Sequence, residues 1–238
     1  TQDDGQSLLT LNFSNSNQSG SFLLNTLLYI VLSFFMLDTT VKKWRILVKI
    51  VVLLSLIISL VILLYLTGCR SAIMSFLLFI VCIVFDLLLG DKVRLKRWMS
   101  IFIAVSPFIF VFIYLTYANS LSFDVSFGIE DSGKSIGTRI SMWKPIVDDF
   151  WHYFIHGDYY KISKGTGYSQ MHNTHLDIYA SYGIIVLVLY MGLLASVLWK
   201  TYSQTVIRFQ RISLYAFIST IFLGFFEAGF VSGSSGLF

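Results

Sequence analysis

Several apolar runs in this 238-residue chain are as long as a lipid bilayer is thick, and this constrains the fold more than any other feature. A helix needs roughly 20 mostly apolar residues to cross the ~30 Å hydrocarbon core. Six such segments are read, at 22–37, 46–66, 72–89, 100–118, 176–199 and 212–231. The first is the shortest and holds Asn25 and Thr26. The second covers about 31 Å at ~1.5 Å per residue, and its only charge, Lys49, lies one turn from the end, where the stem can snorkel. Composition agrees, because 13% charged residues is about half the share usual in soluble domains, and 56% are hydrophobic. A soluble globule is excluded. The expectation is an all-α, polytopic membrane helix bundle of about six spans. Cys69 and Cys82 form neither a disulfide framework nor a CxxC zinc pair.

Orientation is read from the basic residues, which are retained on the cytoplasmic side. Linkers 38–45 (Lys42, Lys43, Arg45), 90–99 (Lys92, Arg94, Lys96, Arg97) and 200–211 (Lys200, Arg208, Arg211) hold ten of the 17 Lys and Arg. They alternate with segments that carry few, or that balance basic with acidic residues. Trp44, Trp98 and Trp199 fall at the same ends, where an indole sits well at headgroup level. The 57-residue segment 119–175 is therefore expected outside, and the net charge of +4 reflects topology, with no nucleic-acid partner. The chain has no initiator Met, and no Lys or Arg precedes Lys42, so it lacks a signal-peptide n-region. It is expected to be the C-terminal portion of a longer protein. Residues 1–118 would be a four-span part preceded by further spans, 119–175 an exoplasmic catalytic loop, and 176–238 two more spans and an outer tail.

A loop of that length is usually functional, and this one holds all four histidines: His152, His156, His172 and His175. Ile140, Trp143, Val147, Phe150, Trp151 and Phe154 recur at three- and four-residue spacing, which predicts one helix lying in the membrane interface, with Pro145 as a kink or restart. Arg70, in Thr67-Gly-Cys-Arg-Ser71, sits where the second and third spans meet. Alone it reads either as a snorkelling anchor or as an anion site, because a guanidinium fork matches phosphate oxygens. Arg139 is expected to open the interfacial helix, where free backbone N–H groups also favour an anion. His172, beside Asn173, could serve as a general base. Thr174-His-Leu-Asp177 fits a capping box, so Asp177 reads as a helix cap rather than a catalytic acid. Glu227 is costly at membrane depth unless paired, with Arg70 or Arg139 as candidate partners. His152-x3-His156 and His172-x2-His175 could also make a four-histidine zinc site, although no HExxH glutamate accompanies the first pair.

Taken in order, Thr-Gly-Cys-Arg-Ser-Ala at 67–72, Gly-Thr-Arg at 137–139 with Trp143, Gly165-Thr-Gly167-Tyr168, and His172-Asn173 followed by Leu176-Asp-Ile-Tyr-Ala-Ser-Tyr-Gly-Ile-Ile185 resemble the O-antigen ligase and polymerase family of bacterial surface-polysaccharide enzymes. The resemblance runs from about residue 60 to 191. It departs at Ile155-His156-Gly157, where the family often has a proline, and in having about half the family's spans. It implies an inverting, metal-independent glycosyl transfer without cofactor, on the outer face of the cytoplasmic membrane. The donor would be a polyprenyl-pyrophosphate-linked glycan, with membrane lipids, a flippase and a chain-length regulator as partners. Arg70 and Arg139 would match the arginines that hold the pyrophosphate, and His172 the histidine that activates the acceptor hydroxyl. Asn173, Glu227, Gly165 and Gly167 would support them.

Two reactions fit these residues: polymerisation, onto another lipid-linked repeat, and ligation, onto lipid A core or a protein. The Ile-, Phe- and Lys-rich composition suggests an AT-rich genome and favours polymerisation. A non-enzymatic polysaccharide transporter would explain a basic outer mouth. It would also need polar groups in mid-membrane, and Lys49, Asp86 and Glu227 lie near span ends instead.

Overall fold

The computed structural model describes residues 16–35, 43–89, 97–120, 132–158, 171–203 and 208–227. The described elements are helices, in the order α1 (Ser16–Phe35), α2 (Lys43–Leu66), α3 (Arg70–Leu89), α4 (Arg97–Ser120), α5 (Ser132–Asp148), α6 (Phe150–Tyr153), α7 (Thr174–Ser203) and α8 (Arg208–Leu223). In hydrocarbon no water pairs with backbone amides, so an apolar segment keeps its hydrogen bonds within itself by becoming a helix, whatever its β-branched content. The few hydroxyls follow the same rule: Ser55 donates to Val51 O at 2.9 Å, Ser59 to Ser55 O at 2.8 Å and Thr116 to Phe112 O at 2.8 Å. Leu47–Leu66, Arg70–Leu88, Trp98–Thr116 and Thr174–Thr201 are long and apolar enough to cross a membrane. This is a multi-pass membrane protein. The sequence reading named six spans; α1 has the length but is more polar, and Phe209–Leu223 is apolar but shorter.

The chain divides into two units, Thr1–Arg94 with Lys200–Leu223, and Leu95–Trp199 with Gly224–Phe238. In the first, α1 packs on α2, α3 and α8 through Leu23, Leu24, Leu27 and Leu28, and α3 packs on α8. Gly20 lets α1 approach the start of α3, since a Cβ there would lie 2.3 Å from Cys69 Cβ. At the other end of α3 the buried Asp86 accepts from Arg211 Nε at 2.8 Å and from the Tyr215 hydroxyl at 2.8 Å. An acid at membrane depth is stable there because a cation and a donor neutralise and solvate it.

In the second unit Val111 and Leu115 of α4, Met142, Trp143 and Ile146 of α5, and Leu176, Ile178 and Tyr179 of α7 form one core. The interfacial reading of 140–154 is therefore corrected in two respects. Trp143 and Ile146 are buried in protein and do not face lipid. The helix also does not run through, because Asp149 (φ −106°, ψ 37°) separates α5 from α6. Pro145 is tolerated inside α5 and its carbonyl still accepts from Asp149 N at 3.2 Å. Trp151 is 78% exposed and is not part of that core.

Helix α7 is broken at Gly183, whose φ of 82° and ψ of −175° interrupt its ladder. The groups so freed are paired by the turn that follows α6: Ile184 N donates to Phe154 O, and Asp158 N to Ala180 O, each at 2.8 Å. Two glycines permit this contact. A Cβ on Gly183 would lie 2.5 Å from Ile155 O, and one on Gly157 (φ 68°) 2.4 Å from Ser181 C. Gly183→Ala is thus expected to cost at least ~1–2 kcal/mol from the left-handed backbone alone, and more from expelling the 154–158 turn. Gly192→Ala, with open space around it, is the matched control. Thermal midpoints in detergent should fall for the first variant and stay for the second.

Candidate functional site

The second unit gathers its polar groups on the short segment that enters α7, and each residue from Met171 to His175 has an assigned contact. Met171 O accepts from Trp143 Nε1 at 2.6 Å, tying the segment to α5. Asn173 caps α7: its Oδ1 accepts from Leu176 N at 2.9 Å, while its Nδ2 donates to Pro107 O at 3.0 Å and Phe225 O at 3.2 Å. The cap is therefore Asn173, and the capping-box reading of Thr174 and Asp177 is corrected. Thr174 is turned elsewhere, its N–H donating to Gly224 O at 2.9 Å and its hydroxyl to Glu227 O at 2.8 Å. Asp177 is buried in the first turns of α7 with its Oδ1 unpartnered. His175 Nε2 is spent on Ala104 O at 2.8 Å. Pro107 matters here because a proline inside α4 offers no N–H to Ile103 O; Ser106 Oγ covers that carbonyl at 2.8 Å.

Between these clamps His172 adopts φ 47°, unusual for a residue with a Cβ. Strain of this kind, about 1–3 kcal/mol, persists only where neighbours over-determine the backbone, and here Met171, Asn173 and Thr174 are all held. The conformation directs His172 Nδ1 to Glu227 Oε2, 3.1 Å away. An ionised carboxylate only accepts, so in that bond Nδ1 is the donor, and in a neutral imidazole so held the lone pair is on Nε2. Glu227 is nearly buried, with 7% of its side chain exposed, while His172 retains 26%. Such an arrangement can take up a proton at Nε2, with a carboxylate behind the ring to stabilise the imidazolium. Glu227 was expected to pair with Arg70 or Arg139; its imidazole partner lies 55 residues away in sequence, where no local pattern points to it.

Arg139 lies in the same unit, partly buried, with its guanidinium carbon 5.5 Å from the centroid of the Phe226 ring. It does not open its helix, because α5 begins at Ser132, so the backbone N–H groups of that terminus are two turns away. Among the described residues it has no carboxylate partner and no hydrogen-bond acceptor. Arg70 belongs to the first unit and is the first residue of α3. The turn before it is closed by Gly68 at φ 65°, by Thr67 Oγ1 donating to Leu64 O at 2.7 Å, and by Cys69 N donating to Thr67 Oγ1 at 3.2 Å. Arg70 is exposed at that corner, likewise without an acidic partner among the described residues. Gly165 and Gly167 lie outside the described residues.

The histidines do not converge. His152 is exposed and bonded to Asp158 Oδ2 at 3.2 Å, His156 is exposed, and His175 is buried against Ala104. Among the described residues no group of three or more His, Cys, Asp or Glu is placed to hold a metal ion. What the second unit does offer is an imidazole oriented by Glu227, and a guanidinium over Phe226 with no carboxylate partner among the described residues. The first can remove a proton and the second can hold an anion.

No curated protein and no solved structure matches the chain. A family model does: that of the O-antigen ligases matches residues 54–191, which include Arg70, Arg139 and the whole His172–Asp177 segment. With more than half of its length inside that match, the chain belongs to the O-antigen ligase family.

Proposed function

We propose that the protein is a surface-polysaccharide polymerase, an inverting and metal-independent glycosyltransferase acting on the outer face of the bacterial cytoplasmic membrane. Members of the family are glycosyltransferase-like enzymes of surface-polysaccharide assembly. The observation that carries the chemistry is the His172–Glu227 pair. His172 Nε2 takes the proton of an acceptor sugar hydroxyl. The hydroxyl oxygen bonds to the anomeric carbon of a polyprenyl-pyrophosphate-linked glycan as the bond from that carbon to the phosphate oxygen breaks. Polyprenyl pyrophosphate leaves with the electron pair, and Arg70 and Arg139 stabilise its growing charge. Arg70 is exposed and Arg139 partly buried, and neither is committed to a carboxylate among the described residues, which supports that role. The alternation of basic linkers supports the outward orientation.

The acceptor decides between polymerase and ligase. The family description favours ligation, and the abundance of Ile and Phe, with Lys outnumbering Arg, typical of AT-rich genomes that include organisms without lipopolysaccharide, favours polymerisation. Lipid extracts of a deletion strain distinguish them. Single lipid-linked repeats are expected to accumulate; finished long chains on the lipid carrier would instead identify a ligase.

A further inference from the structure

We infer that Tyr114 is a further ligand of the anionic leaving group, its phenol O–H donating to a pyrophosphate oxygen beside Arg139. This rests on the reading of Arg139 given above. Tyr114 lies on α4, its ring edge-on to Trp143 of α5 at 5.2 Å between centroids and 5.7 Å from Phe110. The phenol oxygen is buried and has no hydrogen-bond partner among the described residues. A buried hydroxyl without a partner is costly, and most such groups in native proteins are satisfied. Arg139 is a neighbour: Trp143, edge-on to the Tyr114 ring, lies one turn further along α5, and Phe110 bridges the Tyr114 ring to Phe226, over which the Arg139 guanidinium sits.

The two groups do not satisfy each other. A guanidinium has five donors and no acceptor, and the phenol makes no hydrogen bond to it. Two neighbouring donors with no acceptor between them are both completed by one multivalent anion, which is what a pyrophosphate presents. The walls are apolar: Phe226 lies under the guanidinium, Phe110 packs against Phe226 at 5.3 Å, and Trp143 closes the Tyr114 side. Such walls lower the local dielectric and strengthen each donor's hold on charge. Arg139 thus supplies the cation, and Tyr114 a short, rigid donor set by aromatic packing.

The test uses the purified full-length protein in detergent, with farnesyl pyrophosphate as a soluble mimic of the leaving group. Tyr114→Phe removes the oxygen and keeps the ring. It is expected to weaken farnesyl pyrophosphate inhibition roughly ten- to hundred-fold, as for a lost hydrogen bond to a charged group, and to raise the donor KM. The acceptor KM and the thermal midpoint should be unchanged, since no internal hydrogen bond is lost. Tyr114→Met, which also lacks the hydroxyl, should show the same weakening. Inhibition within two-fold of wild type in both variants would overturn the proposal. Arg139→Lys keeps the two readings apart. If it loses farnesyl pyrophosphate binding and the Tyr114 variants do not, only the role of Tyr114 fails; if it too binds as wild type, the pyrophosphate reading of Arg139 fails with it.

Discussion

His172→Ala is expected to abolish glycan transfer, with a fall on the order of 10²–10⁴-fold in kcat, the usual contribution of a positioned general base. Donor binding should survive, because the arginines assigned to the pyrophosphate are untouched. The structure sharpens this in two ways. Since Glu227 Oε2 holds Nδ1 at 3.1 Å, Glu227→Gln should also be severe: the amide retains a hydrogen-bonding group of the same shape but loses the charge that stabilises the imidazolium. And since His172 sits at φ 47°, His172→Gly should fold more stably than His172→Ala, by about 1 kcal/mol, while being equally inactive. The other histidines separate a base from a zinc site. His152→Ala and His156→Ala should keep substantial activity, because both side chains are exposed and neither is bonded to the His172 segment. His175→Ala should lower the thermal midpoint through its lost bond to Ala104 O, with activity retained per folded molecule. EDTA should have no effect. Loss of activity with EDTA, restored by zinc, would instead support a four-histidine site.

The second large effect concerns the guanidiniums. Arg139→Lys and Arg70→Lys are each expected to lose most activity, about 10²–10³-fold, as when one preorganised donor to a developing charge is removed. Lysine keeps the charge but not the planar fork, and at Arg139 it would also lose the stacking on Phe226. Expression should be maintained, because neither arginine holds a carboxylate among the described residues. Arg97→Ala, at the start of α4 in a basic linker, is the comparison: abundance or topology should change, and chemistry should not. Near wild-type rates in both lysine variants would remove the pyrophosphate clamp from the mechanism.

What the sequence made legible was local. Apolar length gives helices because hydrocarbon leaves the backbone no alternative. His172-Asn173 could be singled out because it stands just before an apolar run. The parts that were not legible depend on distant partners or on choices between equivalent neighbours. Asn173 and Thr174 are both good capping residues, and only the carbonyls of Pro107, Phe225 and Glu227 decide which one caps and which one is diverted. Gly183 looks like any glycine in an apolar run until Phe154 and Asp158 are seen to pair with the groups its break frees. The stripe at 140–154 reads as lipid-facing because an interface and a protein core both reward a periodic apolar face, and periodicity cannot tell which partner covers it. Glu227 was conspicuous as an acid in an apolar run, but its partner is chosen by the fold.

The most direct test of the account is a transfer assay with purified full-length protein in detergent. The lipid-linked repeat serves as both donor and acceptor, and polyprenyl pyrophosphate release is measured together with glycan length. The wild-type protein is expected to release one polyprenyl pyrophosphate for each repeat added, in the presence of EDTA and with no membrane to cross, and His172→Ala to release essentially none. Elongation at wild-type rate by His172→Ala, or no release by the wild-type protein with either a lipid-linked repeat or a lipid A core acceptor present, would contradict it.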